Sequence, residues 1–144
     1  MPVSIDWLIE GRVIFQYWWG IGTLDDVHRV NAQTLAMYEQ YPNQSNIHTI
    51  ADSSDQDSVQ SSISDIRGAY TGLDHPQTGW ILLIVNNNSV VRLIGNIILR
   101  ISPVKFQLFR NLTDSLNALE RIDPTINLNH INHAVIKRKE TANH

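Results

Sequence analysis

The chain is predicted to be an α/β protein: a mostly parallel sheet with an N-terminal β-hairpin and four helices packed on it. Two observations predict this. First, His75 to Leu119 (HPQTGWILLIVNNNSVVRLIGNIILRISPVKFQLFRNLTDSLNAL) runs as loop, strand, helix, strand and capped helix. Successive parallel strands in that order need helical crossovers. Second, Trp80 to Val85 (WILLIV) is a continuous apolar run of strand length, as a central parallel strand covered on both faces should be.

The remaining elements follow in chain order. Ile5 to Ile9 and Val13 to Trp19 are apolar and aromatic and flank Glu10-Gly11-Arg12, which predicts a hairpin. In its second strand Val13, Phe15 and Tyr17 point one way, and Ile14, Gln16 and Trp18 the other. Gly20-Ile21-Gly22 is expected to break that strand. Thr23 then caps a helix with Asp25 and Asp26 in its first turn, where free N–H groups favour negative charge. Leu24, Val27, Val30, Leu35 and Tyr38 form its buried face, and Pro42-Asn43 ends it.

Ile47 to Ala51 reads as a short strand ending at Asp52. In the next segment, Ser53 to Ser64, half the residues are Ser. It is expected to be a loop feeding a helix, because Val59, Ile63, Ile66, Tyr70 and Leu73 keep helical spacing. After the central strand, Val90 to Ser102 is a helix apolar on nearly every side. Lys105 to Phe109 is a strand in which Phe106 and Leu108 alternate with polar neighbours. Thr113 caps a last helix whose Leu116, Leu119 and Ile122 face the core. One domain is expected over residues 1–123. Residues 124–144, rich in Asn and His with little to bury, are expected to form a loosely held tail.

Bulk composition narrows the chemistry. The chain has 144 residues, enough for one domain with an ordinary core. Eleven basic against fourteen acidic side chains offer no basic face for nucleic acid. Absence of cysteine excludes disulfides, thiolate zinc sites, iron–sulfur clusters and a cysteine nucleophile. The opening MPVSIDWLIEGR has no basic region followed by an apolar core, and the longest apolar run is interrupted by Arg92, Asn96 and Arg100. No membrane span is expected, and the expected location is the cytoplasm.

In this order, three stretches resemble a STAS domain, more narrowly the SpoIIAA-like bacterial proteins related to anti-sigma-factor antagonists. They are GIGTLDDV, HPQTGWILLIV running into VVRLIGNIILRI, and KFQLFRNLTDSLNAL. The resemblance implies a non-catalytic interaction module whose partner is an anti-sigma-factor or kinase-like protein. It also implies phosphorylation of a Ser at the start of the helix after the third strand. Asp57-Ser58 is the nearest match to that motif, with Ser61 and Ser62 following; the Gly of the family pattern is missing.

Each candidate has a plain alternative. A phosphate on Ser58, Ser61 or Ser62 would gain from a helix N-terminus but face Asp52, Asp55 and Asp57. Those carboxylates lack a calcium-loop pattern, since Val59 stands where an oxygen ligand belongs, so no metal is expected. Gly20-Ile21-Gly22 is a turn rather than a phosphate cradle, because Asp25 replaces the third Gly of the dinucleotide pattern. No Gly-x-Ser-x-Gly elbow is present, His75-Pro76 reads as a turn, and no catalytic residue or cofactor is expected. The helix at Val90, Val91, Leu93, Ile94, Ile97, Ile98, Leu99 and Ile101 is too apolar to face one sheet alone, which predicts a homodimer through it. The alternative function is a small-molecule or lipid binder that uses this helix and the hairpin tryptophans (Trp7, Trp18, Trp19) as pocket walls.

Overall fold

The computed structural model describes residues 2–60, 65, 75–85 and 105–136. Its centre is a five-stranded sheet in the order β1-β2-β3-β4-β5, with β1 (Val3–Ile9), β2 (Val13–Thr23), β3 (Ile47–Gln60), β4 (Thr78–Ile84) and β5 (Phe106–Phe109). β1 and β2 form the antiparallel hairpin; β2 to β5 run parallel. Helix α1 (Leu24–Glu39) connects β2 to β3, and α2 (Leu112–Ile122) follows β5. The predicted mixed α/β architecture is the one observed. Of the four expected helices, α1 and α2 lie among the described residues. The one over Val90 to Ser102 lies outside them, and so does the one after β3 apart from the helical Asp65.

The period-two alternation of β2 sorts the core into two layers. Val13, Phe15 and Tyr17 join Ile50, Leu82, Ile84 and Leu119 of α2. Trp18 packs with Val27 and Val30 of α1, and Ile14 with Tyr38, Ile47 and Trp7. The α1 stripe is therefore Val27, Val30 and Tyr38; Leu35, expected on it, is exposed. At 100° per residue Leu35 sits about 80° from Val27, off the buried line. Thr23 caps α1 as predicted, in a reciprocal capping box with Asp26. The far end of α1 is held from β4's side: the Gln77 side-chain amide donates to the carbonyls of Tyr38, Tyr41 and Gln44. His75 lies in the turn that precedes β4, its carbonyl accepting from Thr78 N–H.

Three expectations are corrected. Gly20-Ile21-Gly22 does not break β2, which runs on to Thr23; Gly20 has φ +61°, and the ladder shifts register between Gly20 and Ile21. β3 does not stop at Asp52 but continues through the Ser/Asp segment to Gln60. Ser and Asp are poor strand formers, yet the extended β2 supplies ladder partners to Asp55, Gln56, Ser58, Val59 and Gln60, and pairing overrides propensity. The cap of α2 is Asn111, whose side chain accepts from Asp114 N–H at 2.8 Å, not Thr113. The expected last strand is observed as β5, with Phe106 half-buried and Leu108 42% exposed.

Beyond Pro124 the chain was expected to bury little. Instead Ile126 and Val135 are each 4% exposed in the core, and Asn132 N–H donates to Leu8 O at 2.7 Å.

Candidate functional site

Two groups of polar residues lie at opposite ends of the parallel strands. Among the described residues, β2 and β3 extend past their neighbours at the C-terminal end as a two-stranded ribbon, since β1 pairs only to Trp18 and β4 only to Asp52 of β3. A double irregularity shapes it: Tyr17 pairs with Asp52 but Trp19 with Asp55, and Gly20 with Gln56 but Ile21 with Ser58. The first shift is pinned by side chains. Ser54 donates through N–H and Oγ to Asp52 Oδ1 at 3.1 and 2.6 Å. The Tyr17 hydroxyl donates to Asp55 Oδ2 at 2.6 Å, and its ring stacks on Trp19 at 5.2 Å.

Three consequences follow for the predicted site. Ser58 lies inside β3 and not at a helix start, so the helix-dipole argument does not apply to it. It is half-exposed, and its ladder partner Ile21 is 50% exposed, the largest value for a large hydrophobic side chain among the described residues. Ser61 and Ser62 fall outside the described residues, between the end of β3 at Gln60 and the helical Asp65. The carboxylates Asp52 and Asp55 are engaged by Ser54 and Tyr17, and among the described residues no three His, Cys, Asp or Glu side chains gather around one point.

The expected partner surface of Val90, Val91, Leu93, Ile94, Ile97, Ile98 and Ile101 lies outside the described residues. Of the proposed pocket walls in the hairpin, Trp7 and Trp18 are buried in the core, at 9% and 5% exposure. Trp7 packs edge-on against Tyr41 and donates to Gln40 Oε1, and Trp18 donates to Gln16 Oε1. Trp19, the third of them, is half-buried and stacks on Tyr17.

The opposite end holds a cluster that sequence reasoning missed. His48, 2% exposed, approaches Asp123 Oδ2 with Nε2 at 2.8 Å, and its Nδ1 accepts the Trp80 N–H at 2.9 Å. An acceptor at Nδ1 fixes the neutral tautomer that donates from Nε2. Arg12 Nη2 donates to the same Asp123 oxygen at 3.0 Å and to Thr125 Oγ1 at 2.8 Å. Thr125 donates through its hydroxyl and its N–H to Asp123 Oδ1. Burial pushes the Asp123 carboxyl up, but the Thr125 hydroxyl and His48 outweigh it and hold the group at about 2. Burial lowers the pKa of His48; the Asp123 contact opposes this and does not reverse it.

This Asp–His pair has the look of a catalytic dyad, but its wiring differs. A general base needs a free nitrogen facing substrate. Here both ring nitrogens are occupied, and the ring is wedged against Gly79, where a Cβ would stand 2.5 Å from Nδ1. The cluster joins the starts of β2, β3 and β4 to the end of α2. Among the described residues, no helix is long and apolar enough to cross a membrane.

An open, mostly parallel sheet with an antiparallel hairpin at one edge and a helix on each face defines the class: a small α/β domain. More narrowly, the fold is SpoIIAA-like. One similar solved structure is an uncharacterized DUF3478-family protein with a SpoIIAA-like fold from Shewanella loihica PV-4, with TM-score 0.59 and 16% identity over 82% of this chain and 94% of that one. Another is the anti-sigma factor antagonist SpoIIAA in its unphosphorylated form, with TM-score 0.55 and 12% identity over 86% of this chain and 99% of that one. No family model and no curated protein matches the chain. At these identities the likeness establishes the fold and no shared activity.

Proposed function

We propose that this protein is a non-catalytic signalling module that binds a protein partner at the C-terminal end of its sheet, under control of Ser phosphorylation. The observation that carries this is the pairing of Ile21 with Ser58. A half-exposed hydroxyl stands across the ladder from an apolar side chain that is 50% exposed. An apolar contact of this kind favours a partner, and a phosphate beside it adds nearly two negative charges next to Asp57, which disfavours an apolar or acidic one. The fold supports the reading, since SpoIIAA is an anti-sigma factor antagonist whose unphosphorylated form is distinguished by name. A bacterial, cytoplasmic anti-sigma-factor or kinase-like protein fits as partner. A homodimer through Val90 to Ile101 is a second proposal, and light scattering showing a monomer at tens of micromolar would sink it.

The switch is tested by incubating the protein with ATP and lysate of its own host, then mapping phosphopeptides over residues 53–64. Stoichiometric phosphate on Ser58, Ser61 or Ser62 is the expected result. No phosphate, with host kinases shown active in the same lysate, removes the switch from the proposal.

A further inference from the structure

The outer strand of the hairpin, β1, reads VSIDWLI: seven residues with one charged side chain, Asp6, and no proline. An apolar strand of this kind is prone to pair with a copy of itself when its edge is bare. Its apolar side chains are committed to the core. Val3 packs with Trp18 and Val27, Trp7 with Ile14 and Tyr38, and Leu8 and Ile9 with Val13 and Phe15. None of these positions can carry a charge to guard the edge. Ser4 and Asp6 are the half-buried polar positions of the strand.

The ladder decides which backbone groups face outward. Trp19 N–H donates to Pro2 O at 2.9 Å, so Pro2 points at β2. Bonded and non-bonded pairs alternate in an antiparallel ladder, and Ser4↔Tyr17 and Asp6↔Phe15 continue the bonded set. Val3, Ile5 and Trp7 therefore turn their N–H and C=O groups away from β2. Among the described residues, no strand pairs with β1 on that side. Yet the edge is closed at one end. The Trp7 N–H donates to Asp6 Oδ1 at 2.8 Å. The register then shifts between Trp7 and Ile9, and the carbonyl of Leu8, within that shift, accepts the Asn132 N–H at 2.7 Å.

We propose that Asp6 is a plug that keeps the outer edge of β1 from pairing with a second copy of the chain. The bare edge is self-complementary. Two antiparallel copies related by a twofold axis at Ile5 would set Val3 of each against Trp7 of the other. That pairing needs the Trp7 N–H of both copies as donors. Asp6 withholds it, and a bond to a carboxylate is stronger than the amide–carbonyl bond that would replace it. Pairing would also bring two Asp6 carboxylates into one interface without their donors, which costs their desolvation. With the plug in place only Val3 and Ile5 remain on offer, and the Leu8–Asn132 bond stops the edge from extending past Trp7.

Light scattering and amide hydrogen exchange of the full chain, at tens and at hundreds of micromolar, test this on the parent, Asp6→Val, Asp6→Asn and Ser4→Val. Asp6→Val removes the plug. At the higher concentration it should reach about twice the parent's mass, with new protection at the Val3 and Ile5 amides that the lower concentration lacks. Asp6→Asn keeps an oxygen for the Trp7 N–H and should behave as the parent does. Ser4→Val adds the same apolar side chain to the same face of β1 without touching the plug, and should also match the parent. If Asp6→Val does not fold, Asp6→Ala removes the carboxylate with a smaller change and is read in the same way. Asp6→Val at the parent's mass, equal association of Asp6→Asn or Ser4→Val, or a rise in mass without new protection in β1 overturns the proposal.

Discussion

At the N-terminal end of the parallel strands Asp123 receives four donors from three residues, and His48 has both ring nitrogens engaged. At the C-terminal end Ile21 stands 50% exposed beside Ser58, on a ribbon that outruns its neighbouring strands. One sheet thus has a closed end and an open end. At the closed end Asp123 and His48 are paired, and Arg12 Nε is buried without a partner among the described residues; polar groups paired to one another hold a structure together and offer little to a ligand. Polar and apolar groups left side by side at the surface add little stability and offer a surface to recognise. The more eye-catching chemistry, an Asp–His pair, lies at the end that does structural duty.

The comparison can be broken by substitution, starting where the effect should be greatest. Asp123→Ala leaves Arg12 and buried His48 without their shared acceptor and removes the carboxylate to which Thr125 donates. A loss of about 2–4 kcal/mol in urea unfolding is expected. Gly79→Ala drives a methyl group to 2.5 Å from His48 Nδ1. Overpacking there should cost about 1–3 kcal/mol. If both variants are as stable as the parent, the closed end is not the lock described.

Acidity should act on the closed end in two windows. His48 has a folded-state pKa held below its usual 6.5, so its contribution is fully present above pH 6.5 and is lost as pH falls from there through the folded value. Asp123 sits at about 2 against 3.8, so its contribution is intact until pH falls below 3.8 and is lost on the way to 2. Chemical denaturation from pH 8 to pH 3 should show the first loss in the parent protein and a flat upper window in His48→Gln.

Smaller effects sharpen the account. Asn111→Ala should cost about 1 kcal/mol as a lost helix cap, while Thr113→Ala, inside the first turn, should cost a few tenths. Ile21→Asp should change stability by no more than about 0.5 kcal/mol, as a surface substitution remote from packing, and act on binding alone.

The architecture was legible in the sequence where burial writes a period. The alternation in Val13 to Trp18 and the unbroken WILLIV run gave the correct faces and the central strand, and Thr23 with Asp26 marked the start of α1. Legibility failed where pairing outweighed composition. Residues 53–60 look like a linker by residue type, and only the ladder with β2 makes them a strand. The choice of cap between Asn111 and Thr113 turns on backbone geometry two residues apart, which no periodicity resolves. The polar lock was invisible because its partners lie 75 positions apart. A lone His opening the apolar strand IHTIA, and a Gly just before the central strand run, were the only local signs. Neither points to Asp123. At the open end the sequence singled out Ser58 by resemblance but had no means of placing Ile21 beside it.

Partner capture from host lysate with three single variants, read by quantitative mass spectrometry, tests the central claim most directly. Ile21, Leu35 and Leu108 are all exposed hydrophobic residues, at 50%, 38% and 42%. Only Ile21 lies on the ribbon beside Ser58. The account predicts a protein captured by the parent chain, by Leu35→Asp and by Leu108→Asp, and lost with Ile21→Asp and with Ser58→Asp. Capture undiminished by Ile21→Asp, with loss at Leu108→Asp or Leu35→Asp, would contradict it and move the binding surface away from the open end of the sheet.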